Sequence, residues 1–231
     1  MLVKICGITD EADALAAVRA GADWIGLNLV GGPRRVGLPR ATAILSALGE
    51  SADARPADSS AASAVVLVRI ESSLPDQTLA ELRAAGAGRV QLYGEIKPGI
   101  VAALRSDGWS VVTVHHMTDA DSLRGVAEFL SACPKGAEPD FVLLDAMAPG
   151  KLGGTGLAVD WEMLAREREA GRFDGWPPII LAGGLNPENV ARAVEFVRPV
   201  GVDVSSGVES APGKKDAARM REFVAAAKGA A

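Results

Sequence analysis

A thiol and a carboxylate each close a short apolar run: Cys6 ends Leu2-Val3-Lys4-Ile5-Cys6, and Asp145 ends Phe141-Val142-Leu143-Leu144-Asp145. An acid in such a place must be solvated, paired or functional, because an unpaired buried charge is costly. Asp145 is therefore a helix cap, a partner for a nearby base, or a proton donor. Alternation puts Cys6 and Lys4 on the strand face opposite Val3 and Ile5. A lone cysteine is more often a small buried hydrophobe than a base, since reactivity requires a stabilised thiolate. Its position at a strand end singles out Cys6. Cys133, near the end of a predicted helix in Ser131-Ala132-Cys133-Pro134, reads as structural, and two cysteines in all provide neither a disulfide framework nor a zinc cluster. His115 and His116 end another β-rich run. Alternation sends only one of them inward, and both rank below Cys6 and Asp145 as acid–base groups.

Two glycine-rich turns suggest an anion. Ala182-Gly183-Gly184-Leu185-Asn186-Pro187 and Ser205-Ser206-Gly207-Val208-Glu209 each follow a β-rich run. Glycine admits close backbone approach, and backbone N–H groups with a helix N-terminus receive phosphate without a lysine. Either turn alone is an ordinary tight connection; the pair points to phosphate. Gly153-Gly154-Thr155-Gly156 offers a further anion-cradling or substrate-covering loop. Val30-Gly31-Gly32-Pro33-Arg34-Arg35-Val36 presents two guanidinium forks that suit a carboxylate or phosphate, although exposed arginines are usually just solvated.

These groups need a scaffold that gathers strand ends. Eight β-rich runs are found, Leu2–Cys6, Asp23–Leu29, Ala64–Ile70, Arg89–Tyr93, Ser110–His115, Phe141–Asp145, Pro178–Ala182 and Val202–Ser205. Helical stretches alternate with them: Glu11–Ala20, Pro39–Leu48, Asp76–Ala85, Pro98–Ser106, Asp119–Ala132, Trp161–Ala170, Pro187–Val197 and Lys215–Lys228. Such alternation implies parallel strands joined by crossovers. An open doubly wound sheet also alternates, but the eighth unit, the 231-residue length and the polar motifs after strands favour a closed (β/α)8 TIM barrel. We expect one domain over residues 1–231, with a flexible surface insertion at Glu50–Ser63, where Ala, Ser and Asp lack periodicity. Closure would set strand eight beside strand one, bringing Asp203 to Lys4 and Cys6.

The composition agrees with this scaffold. Apolar residues make up 48% of the chain but aromatics only 4%, so Ala, Val, Leu and Ile must build the core, as buried parallel strands prefer. A net charge of −5 with scattered Lys and Arg argues against nucleic acid as a partner. No window approaches a membrane span and MLVKICGITD lacks a leader's pattern, so no membrane partner and a cytoplasmic location are expected.

Read together, VKICGIT (Val3–Thr9), Pro33–Val36, VQLYGE (Val90–Glu95), LLDA (Leu143–Ala146), GGTG (Gly153–Gly156), AGGLNPENV (Ala182–Val190), DVSSGVE (Asp203–Glu209) and Pro212–Asp216 resemble the phosphoribosylanthranilate isomerase family over nearly the whole chain. The resemblance implies an Amadori rearrangement of N-(5-phosphoribosyl)anthranilate, a phosphorylated small molecule, without cofactor or metal. It implies Cys6 as general base and Asp145 as general acid. Arg35 would meet the anthranilate carboxylate, with Arg34 its neighbour; Gly183, Gly184, Ser206 and Gly207 would hold phosphate; Asp203 would lie near the sugar. Tyr93 stands near the substrate where this family usually has histidine. The Gly-Gly-Pro approach to the arginines and the length of Glu50–Ser63 also depart from the usual pattern. A related histidine-pathway isomerase is disfavoured by Cys6 and by Arg69-Ile70-Glu71-Ser72-Ser73, which lacks a glycine-rich anion turn after strand three. A non-catalytic phosphate-ligand-binding barrel is the alternative of a different class.

Overall fold

The computed structural model describes residues 1–50, 65–71, 76–146 and 160–231. Eight strands, β1 (Leu2–Cys6), β2 (Trp24–Asn28), β3 (Val65–Glu71), β4 (Arg89–Tyr93), β5 (Ser110–Met117), β6 (Phe141–Ala146), β7 (Ile179–Ala182) and β8 (Gly201–Val204), pair in sequence order. All are parallel, and β8 closes on β1 with Lys4 opposite Asp203. One helix follows each strand: α1 (Glu11–Arg19), α2 (Leu38–Glu50), α3 (Asp76–Ala84), α4 (Pro98–Ser106), α5 (Asp121–Ala132), α6 (Trp161–Glu169), α7 (Val190–Val197) and α8 (Ala217–Gly229). The expected (β/α)8 barrel is thus what forms. Among the described residues no helix is long and apolar enough to cross a membrane.

Two separate apolar regions follow from the two faces of each strand. Val3, Ile5, Ile25, Leu27, Val90 and Leu92 face outward and pack with helix residues such as Ala14, Ile44 and Phe223. Trp24, Val112, Val114, Leu143, Ile180 and Ala182 form a second cluster inside the barrel. At the strand starts, the Trp24 and Phe141 rings meet edge to face at 4.9 Å, and the Arg89 guanidinium lies 3.9 Å from the Trp24 ring centre. The lumen is thereby filled at its N-terminal end by large side chains. Of its polar members, Lys4, Gln91 and Asp203 lie about midway along their strands and Asn28 and Asp145 at or next to the C-terminal ends, where a barrel assembles its chemistry.

Several boundaries differ from expectation, most by one or two residues, and two helix starts have a local reason. α7 begins at Val190 rather than Pro187, because Asn186 Oδ1 accepts from Glu188 N–H and Asn189 Oδ1 accepts from Asn186 N–H, which competes with helical bonding. α8 begins at Ala217, where Asp216 accepts from the N–H groups of Ala218 and Arg219. Lys215, expected in that helix, instead belongs to β10 (Lys214–Lys215), which pairs antiparallel with β9 (Glu209–Ala211). β5 continues past His115 to Met117, so both histidines are strand residues. Residues 51–63 of the expected insertion and the Gly153–Gly156 motif lie outside the described residues.

Candidate active site

Cys6 ends β1 directly opposite Gly26 of β2. A Cβ on residue 26 would lie 2.9 Å from both the Cys6 sulfur and its Cα, so glycine there leaves the space that the thiol occupies. The thiol is aimed at Asn28, whose Oδ1 lies 3.7 Å from Sγ. Two residues earlier on the same face, Lys4 is 1% exposed and its ammonium donates to Asp203 Oδ2 at 2.9 Å. Burial alone would lower the Lys4 pKa, but the Asp203 carboxylate and the Cys6 sulfur outweigh it and hold Lys4 above its ordinary value. Asp203 Oδ1 is buried and has no hydrogen-bond partner among the described residues.

The two arginines after β2 diverge. The backbone of Arg35 bridges to Asn28, Val36 N–H donates to Asn28 carbonyl oxygen, and the exposed Arg35 side chain donates to Leu29 carbonyl oxygen at 3.3 Å. Arg34 turns the other way. It crosses Gly7, the residue after Cys6, where a Cβ would fall 2.5 Å from Arg34 Cδ. Glu209 accepts from Arg34 Nε and Nη2 at 2.7 and 2.8 Å, and its Oε1 also accepts from the fully buried Lys215 ammonium at 2.9 Å. The hydrogen bonds to Glu209 raise the Arg34 pKa above its usual range, with the nearby Cys6 sulfur adding to the effect. Burial would raise the Glu209 pKa, yet its two cationic partners hold it below the ordinary carboxylate value. Lys215, more deeply buried and sharing one carboxylate with Arg34, is held below its usual value. The structure therefore brings Arg34, not Arg35, alongside Cys6. Arg34 is engaged by Glu209, while Arg35, expected to meet the carboxylate, keeps an exposed guanidinium on the same loop.

Across the lumen, Asp145 ends the row Phe141, Leu143, Asp145 on β6 and is opposite His116 of β5 in register. His116 Nδ1 lies 3.9 Å from Asp145 Oδ2, and the Tyr93 and His116 rings meet edge-on with centroids 6.4 Å apart. Of the two histidines it is His116 that turns inward. His115 packs on Phe129 of α5, and burial, with His116 contributing, lowers its pKa to about 4.

The turns after β7 and β8 are in contact. Gly183 and Gly184 adopt φ of +91° and +66°, values that favour glycine, and Asn189 Nδ2 donates to Gly184 carbonyl oxygen at 3.0 Å. A Cβ on Gly207 would lie 1.9 Å from Leu185 carbonyl oxygen, so only glycine permits the close approach of the two turns. Ser206 and Gly207 form a short 3-10 turn (Ser206–Val208), and Arg219 Nε donates to Gly207 carbonyl oxygen at 3.1 Å.

All the residues expected at the site follow strand ends of one barrel face, with Cys6, Lys4, Asp203 and Arg34 gathered on one side and Tyr93, His116 and Asp145 on the other. The sequence reasoning did not identify Asn28, Gly26, or the partnership of Glu209 and Lys215 with Arg34. Glu209 and Lys215 do fall within DVSSGVE and Pro212–Asp216, the signal from which they can be found. Among the described residues no group of three or more His, Cys, Asp or Glu side chains could hold a metal ion.

Comparison with known proteins places this geometry. The family described as N-(5'phosphoribosyl)anthranilate (PRA) isomerase matches residues 3–226. The chain is 38% identical to the N-(5'-phosphoribosyl)anthranilate isomerase of Rubrobacter xylanophilus and 39% identical to that of Geobacter metallireducens, covering 98% of each chain in both cases. It superposes on the crystal structure of phosphoribosyl anthranilate isomerase from Thermotoga maritima with a TM-score of 0.79 and 29% identity over 99% of both chains. A phosphoribosyl anthranilate isomerase structure in complex with reduced 1-(o-carboxyphenylamino)-1-deoxyribulose 5-phosphate gives a TM-score of 0.77 at 28% identity over 99% of both chains. With matches of this extent, the chain belongs to the N-(5'-phosphoribosyl)anthranilate isomerase family.

Proposed function

We infer that the protein isomerises N-(5-phosphoribosyl)anthranilate to 1-(o-carboxyphenylamino)-1-deoxyribulose 5-phosphate, a step of tryptophan biosynthesis, and does so in the cytoplasm. The observation that carries the chemical reading is the placement of Cys6 and Asp145 at the C-terminal ends of β1 and β6, both on the lumen face. Two groups on opposite sides of one sugar divide the acid and base work. Asp145 donates a proton to the ring oxygen as the furanose C1–O bond breaks and the anilino nitrogen lone pair forms the iminium. Cys6 then takes the proton from C2, and the C–H electron pair flows to give the enolamine. Tautomerisation of the enolamine yields the ketone. The C1 carbon is reduced at the expense of C2 within one molecule, so the step balances without an external oxidant or reductant.

The anchors follow from the same geometry. The touching turns at Gly183, Gly184, Ser206 and Gly207 suit the phosphate, in the place where such barrels commonly hold one. Arg35, whose exposed guanidinium stands on the loop after β2, suits the anthranilate carboxylate, with Arg34 held by Glu209 as its neighbour. The unpartnered Asp203 Oδ1 suits a sugar hydroxyl.

The test is fluorimetric consumption of freshly formed phosphoribosylanthranilate. The parent should exceed the spontaneous rate by orders of magnitude, while Cys6→Ala and Asp145→Asn should each lose most of that turnover and still bind a product analogue. A parent rate at background would indicate a non-catalytic binding barrel. Near-parental turnover in either variant would remove that residue from the mechanism.

A further inference from the structure

We propose that Asn28 is a positioning residue for Cys6, whose amide accepts from the thiol in one protonation state and, turned over, donates to the thiolate in the other. The proposal deepens the reading of Cys6 as the base, on which it rests.

A sulfur base exists in two forms with opposite needs. The thiol is a weak donor and the thiolate an acceptor, so a neighbour of fixed polarity serves only one of them. A carboxamide carries an acceptor end and a donor end, and it exchanges them by a half-turn about its last torsion. Asn28 Oδ1 lies 3.7 Å from Cys6 Sγ, the arrangement that suits the thiol. Asn28 Nδ2 has no acceptor among the described residues, so the half-turn breaks no other hydrogen bond. The backbone beneath is pinned meanwhile, because Asn28 carbonyl oxygen accepts from Val36 N–H at 2.8 Å and the residue bridges to Arg35.

The strands are shaped for this contact. Cys6 stands opposite Gly26, and Asn28 lies two residues further along β2 on the same face. A Cβ on residue 26 would fall 2.9 Å from Sγ, so the missing side chain leaves the thiol room beside the amide. Asn28 is 6% exposed and Cys6 5% exposed, which leaves little access for water to replace either partner. The cations within electrostatic reach of the sulfur are Lys4 on its own strand, Arg34 after β2 and Lys215 on β10. Their carboxylate partners are Asp203 on β8 for Lys4 and Glu209 on β9 for the other two, so the surroundings are net positive. Such a field favours the thiolate but gives the sulfur no direction. Asn28 supplies it. When the thiolate takes the C2 proton, the C–H bond breaks and the S–H bond forms, and the new donor meets the acceptor end that the amide turns back.

The experiment titrates Cys6 in the full chain by the ultraviolet absorbance of its thiolate, taken in a Cys133→Ala background minus the same protein with Cys6→Ala. Asn28→Leu, similar in volume but without the amide, should move the thiolate midpoint upward by about one pH unit or more, the worth of a hydrogen bond to a charged group. Asn28→Asp, nearly isosteric, sets a negative charge where Oδ1 stands and should move it further. The limb of the kcat/KM profile should follow the midpoint in both, so that turnover lost near neutral pH, about tenfold in Asn28→Leu, returns in part at higher pH. Asn28→Gln, which keeps both ends of the amide, should recover part of the shift. Affinity of Asn28→Leu for reduced 1-(o-carboxyphenylamino)-1-deoxyribulose 5-phosphate, within about threefold of the parent, reports that the variant is folded. A midpoint unmoved in both Asn28→Leu and Asn28→Asp would make the residue merely structural, whatever happens to turnover, and a midpoint that falls in Asn28→Leu would mean that the amide serves the thiol alone; either result overturns the proposal. Parental turnover in Cys6→Ala would instead show that the reading of Cys6 as base fails, and the positioning role with it.

Discussion

Arg34 passes so closely over Gly7 that a Cβ on residue 7 would lie 2.5 Å from Arg34 Cδ and 3.0 Å from Ser205 Oγ. The glycine also adopts φ of +74°, which costs an L side chain about 1–2 kcal/mol. Gly7→Ala should therefore lower stability by roughly that amount and, by displacing Arg34 and with it the loop that carries Arg35, raise KM for substrate several-fold more than it lowers kcat. Urea titration and steady-state kinetics check both parts. A normal KM in a destabilised variant would show that the position of Arg34 is not set by this contact.

Lys4 and Asp203 form a pair inside the barrel, with side chains 1% and 10% exposed. Removing one member strands a buried charge, at a typical cost of about 3–5 kcal/mol, whereas removing both is far cheaper. Lys4→Met should thus be markedly less stable than the parent, and Lys4→Met with Asp203→Leu should recover most of the loss while remaining inactive. Denaturant midpoints of the two variants decide this. A double variant no more stable than the single would mean that the pair is held by more than its mutual charge.

That pair also shows what the amino-acid sequence makes legible. Period two puts Lys4 and Cys6 on one face, and closure of eight strands brings Asp203 beside them, so the contact follows from rules that act along strands. The same rules turn His116 inward and His115 out. Arg34 and Arg35 sit in a loop where no period applies. Which of them reaches Cys6 is decided by the backbone bridge between Asn28 and Arg35, a tertiary contact. Glu209 and Lys215 escape for a similar reason, because they meet through the β9–β10 pairing that follows a short 3-10 turn, and such a hairpin has too few residues to show alternation. The need for glycine at residue 26 is likewise visible only once Cys6 is seen across from it.

His115 should make folding pH-dependent. Buried against Phe129, it is neutral in the folded state down to about pH 4, whereas the unfolded chain takes up the proton near its ordinary value of 6.5. The unfolded state therefore binds more protons between those limits, so the contribution is fully present above pH 6.5 and is lost as pH falls toward 4. A difference of that size corresponds to stability on the order of 3 kcal/mol. His115→Gln should flatten this part of the profile, as measured by urea unfolding at pH 7.0, 5.5 and 4.5. An unaltered slope would assign the acid sensitivity to other groups, such as Glu209.

Tyr93 occupies the end of β4 where the family usually carries histidine, yet an imidazole is close by. His116, one strand over, has its ring centroid 6.4 Å from that of Tyr93 and its Nδ1 3.9 Å from Asp145 Oδ2. The latter distance is too long for a direct hydrogen bond but short enough for the imidazole to bear on the acid electrostatically. If the usual histidine were an obligatory proton carrier, a phenol with a reference pKa of about 10 would be a poor substitute near neutral pH. A packing or hydrogen-bonding role is one that tyrosine can fill, and Cys6 with Asp145 already accounts for both proton transfers. Tyr93→His should leave kcat within about a few-fold of the parent, and Tyr93→Phe should cost about 0.5–1.5 kcal/mol of transition-state stabilisation, the worth of one neutral hydrogen bond. His116→Phe, which removes the group bordering Asp145, should lower kcat more than Tyr93→Phe and alter KM little. These three variants, assayed side by side, separate the possibilities. A large gain in turnover for Tyr93→His would mean that this chain has lost a catalytic group, and an unaffected kcat in His116→Phe would confine Asp145 to acting without help from β5.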